Sequence, residues 1–157
     1  MLLLNSTYFG KYASLPMGWL FMALLLAIEV VVMSKALANA YFVSRVAVAA
    51  LISNVVSGIA GAYTSIAING GRMLTVWLPW VSSREVNTEN EEELLSFFLY
   101  FALAFVFTVI IELIVNSLFL KKHYGFSPVM RATTIANVVS FMVGSMALYS
   151  YSFTFFD

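Results

Sequence analysis

Two acids and two amides stand in long apolar runs at a single spacing. Glu29 is followed, after twenty-four residues, by Asn54-Val55-Val56-Ser57, and Glu112 is followed, after the same interval, by Asn137-Val138-Val139-Ser140, an offset of 83 residues. Carboxyl and carboxamide groups are costly in hydrocarbon and persist there when they pair with one another or carry ions or protons. Two chemistries fit. A carboxyl to carboxamide hydrogen bond locks adjacent helices, whereas a chain of such groups forms a proton or cation site in a small oligomeric transporter or channel. The lock is the preferred reading. No further run of acids marks a path across a bilayer, and the apolar runs lack the paired Gly or Pro interruptions of unwound transporter helices. Pro16 and Pro128 lie near expected helix starts, and Pro79 lies in a connector.

The same offset pairs Val32 with Val115, Ser34 with Ser117, Tyr41 with Tyr124, Ser44 with Ser127, Val46 with Val129, Ala49 with Ala132, Ile52 with Ile135 and Gly61 with Gly144. Register held without a gap points to a duplicated unit. Each unit reads as a helical hairpin, and an even number of crossings makes the two copies enter the membrane in the same direction. A pseudo-two-fold along the membrane normal follows, the parallel type of repeat. Glu29 and Asn54 lie symmetrically about Tyr41, and Glu112 and Asn137 about Tyr124. Turns centred there put each acid and its amide at one depth, so each is expected to satisfy the other.

Arg131, six residues toward the loop from Asn137, is the basic residue placed to reach Glu112. The second site is therefore expected to carry charge and the first to be neutral, since Lys35 would snorkel to the interface instead. Ala49, Ser53, Ser57 and Gly61 recur at every fourth position, as do Ala132, Ala136, Ser140 and Gly144. That spacing puts small side chains on one helix face and predicts close helix packing.

The elements that must position these residues follow from composition. Of 157 residues, 62% are hydrophobic and 10% charged, and mean hydropathy is +0.92, the profile of an integral membrane protein. The predicted fold is an all-α membrane protein of four transmembrane helices, near 17–37, 45–68, 94–120 and 129–155, each long enough for the roughly 20 residues a crossing needs. Residues 1–68 hold an N-terminal segment and the first hairpin, 69–93 a connector, and 94–157 the second hairpin. The third run is long enough to tilt or to extend past the bilayer, and its aromatic first half, with Phe97, Phe98, Tyr100 and Phe101, suits lipid or interface contact.

In the connector, Arg72, Trp77 and Trp80 form an interfacial segment or a partner-docking patch. Ser82 to Glu93 reads as a solvated acidic loop, whose last acids complement the positive end of the third helix. Lys35, Arg45, Lys121, Lys122 and Arg131 flank the two short hairpin loops, against Lys11, Arg72 and Arg84 on the other side. The excess places the hairpin loops in the cytoplasm and both termini with the acidic loop opposite. The aromatic C-terminal run, Tyr149 to Phe156, offers contact surface to lipid or protein. Ala36-Leu37-Ala38 resembles a signal-peptidase site, but the run before it is long for a signal core and belongs to the duplicated unit. Asn5-Ser6-Thr7 fits a glycosylation sequon, which matters only in a eukaryotic secretory setting.

Other chemistries find little support. Eight basic residues balance eight acidic ones, so no basic surface invites nucleic acid. Cysteine is absent, and the single His123, between Lys122 and Tyr124, reads as a solvated or headgroup-facing residue before a tetrapyrrole ligand. No metal or other cofactor is expected. No Ser, His and acid set, zinc-protease motif or glycine-rich phosphate loop occurs, so the chain reads as no enzyme.

The segment from Leu24 to Gly61 joins a Glu-bearing span, a short basic turn and Asn54-Val55-Val56-Ser57-Gly58, about a quarter of the chain. In this it resembles the small cyanobacterial filament-integrity membrane proteins of septal junctions. That resemblance implies a non-enzymatic role at cell junctions within a larger envelope assembly, and the second copy departs from the family's pattern. The expected function is a structural or accessory subunit of a larger membrane complex, in a bacterial inner or thylakoid-type membrane. Its expected partners are lipid and other membrane subunits, with further copies of itself as a homo-oligomer.

Overall fold

The computed structural model describes residues 16–69 and 91–154; the side chains at 16–19, 69, 93, 94, 97 and 147–154 lie outside that description. Four helices result: α1 (Pro16–Ala38), α2 (Ser44–Asn69), α3 (Glu91–Tyr124) and α4 (Phe126–Thr154). Each is apolar around its whole circumference, as suits a helix with lipid for solvent. All four are long and apolar enough to cross a membrane, consistent with a multi-pass membrane protein. At a rise of about 1.5 Å per residue, α1 is roughly 35 Å long and α3 roughly 50 Å, against a hydrocarbon core of about 30 Å.

The ends of α3 depart from the sequence expectation. It begins at Glu91 rather than Leu94, which takes Glu91, Glu92 and Glu93 out of the supposed loop and into the first turn. Acids in the first turn of a helix complement the positive end of its macrodipole. It also runs through Lys121, Lys122 and His123 to Tyr124, where a loop was expected. The cause is Gly125. At φ 81° it takes the left-handed conformation that ends many helices, and its N–H donates to the Lys121 carbonyl at 3.0 Å. Its own carbonyl accepts from the Val129 N–H at 3.4 Å, so one residue closes α3 and opens α4. Pro128 sits in the first turn of α4, where a missing N–H is no loss.

The other connection uses the same device with a different residue. Asn39, at φ 51°, donates its N–H to the Lys35 carbonyl at 3.1 Å, the αL cap again. The turn is then stitched back on α1 by the Val43 N–H, which donates to Ser34 Oγ at 3.2 Å.

α1 packs on α2 and α4, and α3 packs on the same two helices. The buried core brings together Met33 of α1, Val46 of α2, Leu120 of α3 and Val129 of α4. Each lies close to a short connection, so both connections stand at one end of the bundle. Toward the opposite end, Phe101 and Phe105 of α3 meet Phe141 of α4 at ring-centroid distances of 4.5 and 4.7 Å. The aromatic half of α3 is thus divided: Phe98 is exposed, whereas Phe101 is half-buried against Phe141.

Both stripes of small residues face inward. Ala49, Ser53, Ser57 and Gly61 are buried on α2, and Ala132, Ala136, Ser140 and Gly144 on α4. At Gly144 a Cβ would lie 3.3 Å from Leu25 Cδ1 of α1, so the absence of a side chain sets how closely these helices approach.

Candidate functional site

Each acid is held by two helices at once. Asn54 Nδ2 donates to Glu29 Oε2 at 2.6 Å, and Asn137 Nδ2 donates to Glu112 Oε2 at 2.9 Å, each amide reaching the acid on the helix joined to it by a short turn. The second carboxyl oxygens are taken from across the bundle. Ser140 Oγ of α4 donates to Glu29 Oε1 at 2.6 Å, and Ser57 Oγ of α2 donates to Glu112 Oε1 at 2.9 Å. Partners on the two acids correspond at the offset of 83, Asn54 to Asn137 and Ser57 to Ser140.

Helix geometry explains why one motif serves two acids. Asn54 and Ser57 are three residues apart, hence on one face and one turn apart in depth. The amide meets Glu29 and the hydroxyl meets Glu112, so both carboxyls lie in a single layer about one turn thick. Each amide also donates to the carbonyl four residues earlier, Ala50 at 3.0 Å and Thr133 at 3.1 Å, which fixes its rotamer. Each serine hydroxyl has a competing acceptor on its own helix, the Asn54 carbonyl at 3.1 Å and the Asn137 carbonyl at 3.2 Å. A hydroxyl has one proton, so it serves one acceptor at a time.

Burial makes these bonds matter. Glu29 is 6% exposed and Glu112 2%, and a carboxyl so far from water needs its oxygens satisfied. In a membrane protein one interhelical hydrogen bond contributes about 0.6 to 2 kcal/mol. Four of them link all four helices in one layer.

Arg131 is not part of the layer. It is exposed on α4, and Glu112 is held by Asn137 and Ser57, so the expected ion pair is replaced by a second neutral donor. The physical reason is position: Arg131 follows Met130 on the exposed face of α4, whereas Ala132, Thr133, Ala136 and Asn137 form the buried one. The proposed difference in charge between the two sites loses its basis with it. Lys35 is exposed, its Nζ 4.4 Å from the centre of the Tyr41 ring. Arg72, Trp77 and Trp80, proposed as an interface, lie outside the described residues, as do Lys11, Arg84, the Asn5 sequon and the acidic loop before Glu91.

One feature of the site escaped the sequence. Asn116 of α3 is fully buried, with its amide 3.3 Å from Thr133 Oγ1 and 4.0 Å from Met33 Sδ, and its Oδ1 has no hydrogen-bond partner. Met33 and Asn116 are 83 residues apart, the offset that also separates the two acids, and they meet inside the bundle. A search for identities hides such a residue, because its counterpart is Met. The crossed serines were more accessible. They belong both to the acid-amide motif and to the small-residue stripes, and a face that packs on a neighbouring helix delivers its hydroxyl there.

Among the described residues no group of three or more His, Cys, Asp or Glu is arranged to hold a metal ion. A shallow groove on the outer face of α2, lined by Val56, Ile59, Ala60, Tyr63 and Thr64, is apolar and open to the surroundings. No family model, curated protein or solved structure matches the chain.

Proposed function

We propose that the chain is a non-catalytic structural or accessory subunit of a larger membrane complex, built as two tandem helical hairpins by duplication and locked by its Glu, Asn and Ser network. The observation that carries this reading is the completeness of the network. All four carboxyl oxygens of Glu29 and Glu112 accept from a protein donor, one from the same hairpin and one from the other. Groups so engaged hold helices together, since every carboxyl oxygen already accepts from a donor on a neighbouring helix. Unbroken helices through the layer support the same view, since transported ions are commonly held by the freed carbonyls of interrupted helices.

The partner offsets support a parallel duplication with a pseudo-two-fold axis along the membrane normal, passing between Met33 and Asn116. The charge distribution supports cytoplasmic placement of the two turns, in a bacterial inner or thylakoid-type membrane. Resemblance of the first hairpin to filament-integrity proteins suggests an envelope junction as one such assembly.

Isolation of the full chain in mild detergent, followed by mass spectrometry, tests the role. Stable co-purification with larger membrane proteins is expected; a chain that runs alone as a monomer or homodimer contradicts it. The second reading, a small oligomeric transporter or channel with a proton or cation site at Glu29/Asn54 and Glu112/Asn137, draws on the presence of two carboxyls in one buried layer. Glu29→Gln with Glu112→Gln separates the two. A lock survives this change nearly intact, because each serine can donate to its own helix and accept from the new amide. An ion or proton site loses flux in reconstituted vesicles while the fold persists.

A further inference from the structure

We propose that the turn end of the bundle is a binding site for anionic phospholipid headgroups. Lys35 closes α1, Arg45 opens α2, Lys121 and Lys122 close α3, and Arg131 lies in the second turn of α4. The shared core near the connections gathers these five cations at one end, and all five are exposed. None has an acid to neutralise it there among the described residues. Among the described residues, Glu29 and Glu112 are buried on hydrogen bonds in the middle of the bundle, and Glu91 and Glu92 stand at the far end of α3, a helix roughly 50 Å long.

Two further features say that the anion is a lipid rather than a soluble one. The cations crown helices that are apolar all round, so their charges lie at the boundary where phosphates meet acyl chains. Beside them, Tyr41 and Phe42 of the first turn and Phe126 at the start of α4 are 73, 65 and 55% exposed; a tyrosine suits headgroup depth, and the two phenylalanines offer apolar surface to the adjoining acyl chains. The platform is also rigid. Both turns are tied by αL caps, the first also by Ser34, and Val46, Leu120 and Val129 beneath them are fully buried. The backbone that carries the cations is thus already ordered, and binding a phosphate costs side-chain freedom alone.

The charges are unequally divided, and that predicts where lipid binds best. At the offset of 83, Lys121 and Lys122 correspond to Ala38 and Asn39, and Arg131 to Val48. Three of the five cations therefore belong to α3 and α4.

The full chain in mild detergent, exposed to equal amounts of dioleoyl phosphatidylglycerol and dioleoyl phosphatidylcholine, is examined by native mass spectrometry for the lipid it retains. The expected result is preferential retention of phosphatidylglycerol. Each juxtamembrane cation contributes about fivefold to affinity for an anionic surface, so Lys121→Gln, Lys122→Gln and Arg131→Gln together are expected to lower the preference at least tenfold. Lys121→Arg, Lys122→Arg and Arg131→Lys together keep the charge and are expected to keep the preference. Equal retention of the two lipids by the wild-type chain overturns the proposal, as does an undiminished preference in the glutamine variant. Displacement of the phosphatidylglycerol by an excess of polyglutamate would assign the surface to an acidic protein segment and overturn it equally.

Discussion

The two helix pairs, α1 with α2 and α3 with α4, are alike where they hold each other and different where they face each other. Glu, Asn and Ser occupy matching positions in both, and each pair gives one hydroxyl to the other's acid. One turn away, Met33 of the first pair meets Asn116 of the second, and Ala50 corresponds to the Thr133 that accepts from Asn116. The difference has a physical logic. Each acid takes one bond from its own pair and one from the other, so a change at either acid is felt in both pairs. A residue that faces its own counterpart carries no such condition and needs only to fill the shared space.

The sharpest way to break the comparison is to remove an acid. Glu29→Ala and Glu112→Ala each remove two interhelical hydrogen bonds, one from an amide and one from a hydroxyl, at about 0.6 to 2 kcal/mol for each lost bond. Reversible unfolding in mixed micelles is expected to give losses equal within about 0.5 kcal/mol for the two single variants and a much larger loss for the pair. Clearly unequal single effects would mean that the two acids are not doing the same job.

The turns are compared next. Gly125→Val forces a β-branched residue into the left-handed region and is expected to destabilise by about 1 to 2 kcal/mol. Asn39→Gly, in the same conformation at the other turn, is expected to change stability by only a few tenths. Thermal unfolding followed by circular dichroism reads both.

The amides give a smaller and more telling contrast. Asn137→Leu leaves Glu112 Oε2 without its donor and is expected to cost about 1 kcal/mol or more. Asn116→Leu removes a buried acceptor that had no partner together with one bond to Thr133; the two effects oppose each other, and the net change is expected to stay within about 1 kcal/mol. A large loss at Asn116 would move the key polar contact from the acids to the centre of the bundle. Arg131→Val, which copies Val48, is expected to stay within about 0.5 kcal/mol in the same assay, since the side chain is exposed and outside the network.

Much of this was legible in the sequence, for reasons particular residues make plain. Length and apolarity located four helices, and spacing about Tyr41 led to Asn54 beside Glu29, because the turn that follows α1 is short. The second turn was harder. Lys121, Lys122 and His123 look like loop residues, yet a single αL glycine makes the loop unnecessary and the helix carries them. Leu37 and Leu120, identical at the same offset, add to the correspondence, with Leu37 packed on the core and Leu120 inside it. Arg131 misled, because distance along the chain suggested reach, while helix phase turned it outward. Phase is also what the crossed serines depend on. Which hydroxyl meets which acid is set by how four helices are arranged, and no single hairpin contains that information.

The most direct test of the crossed lock is a double-mutant cycle between Glu29 and Ser140, on α1 and α4, using Glu29→Ala, Ser140→Ala and the combination in reversible unfolding of the full chain. A coupling of about 0.5 to 1.5 kcal/mol is predicted, matched by Glu112 with Ser57. Additive effects in both cycles would contradict the account, since the two helix pairs would then be held by packing alone.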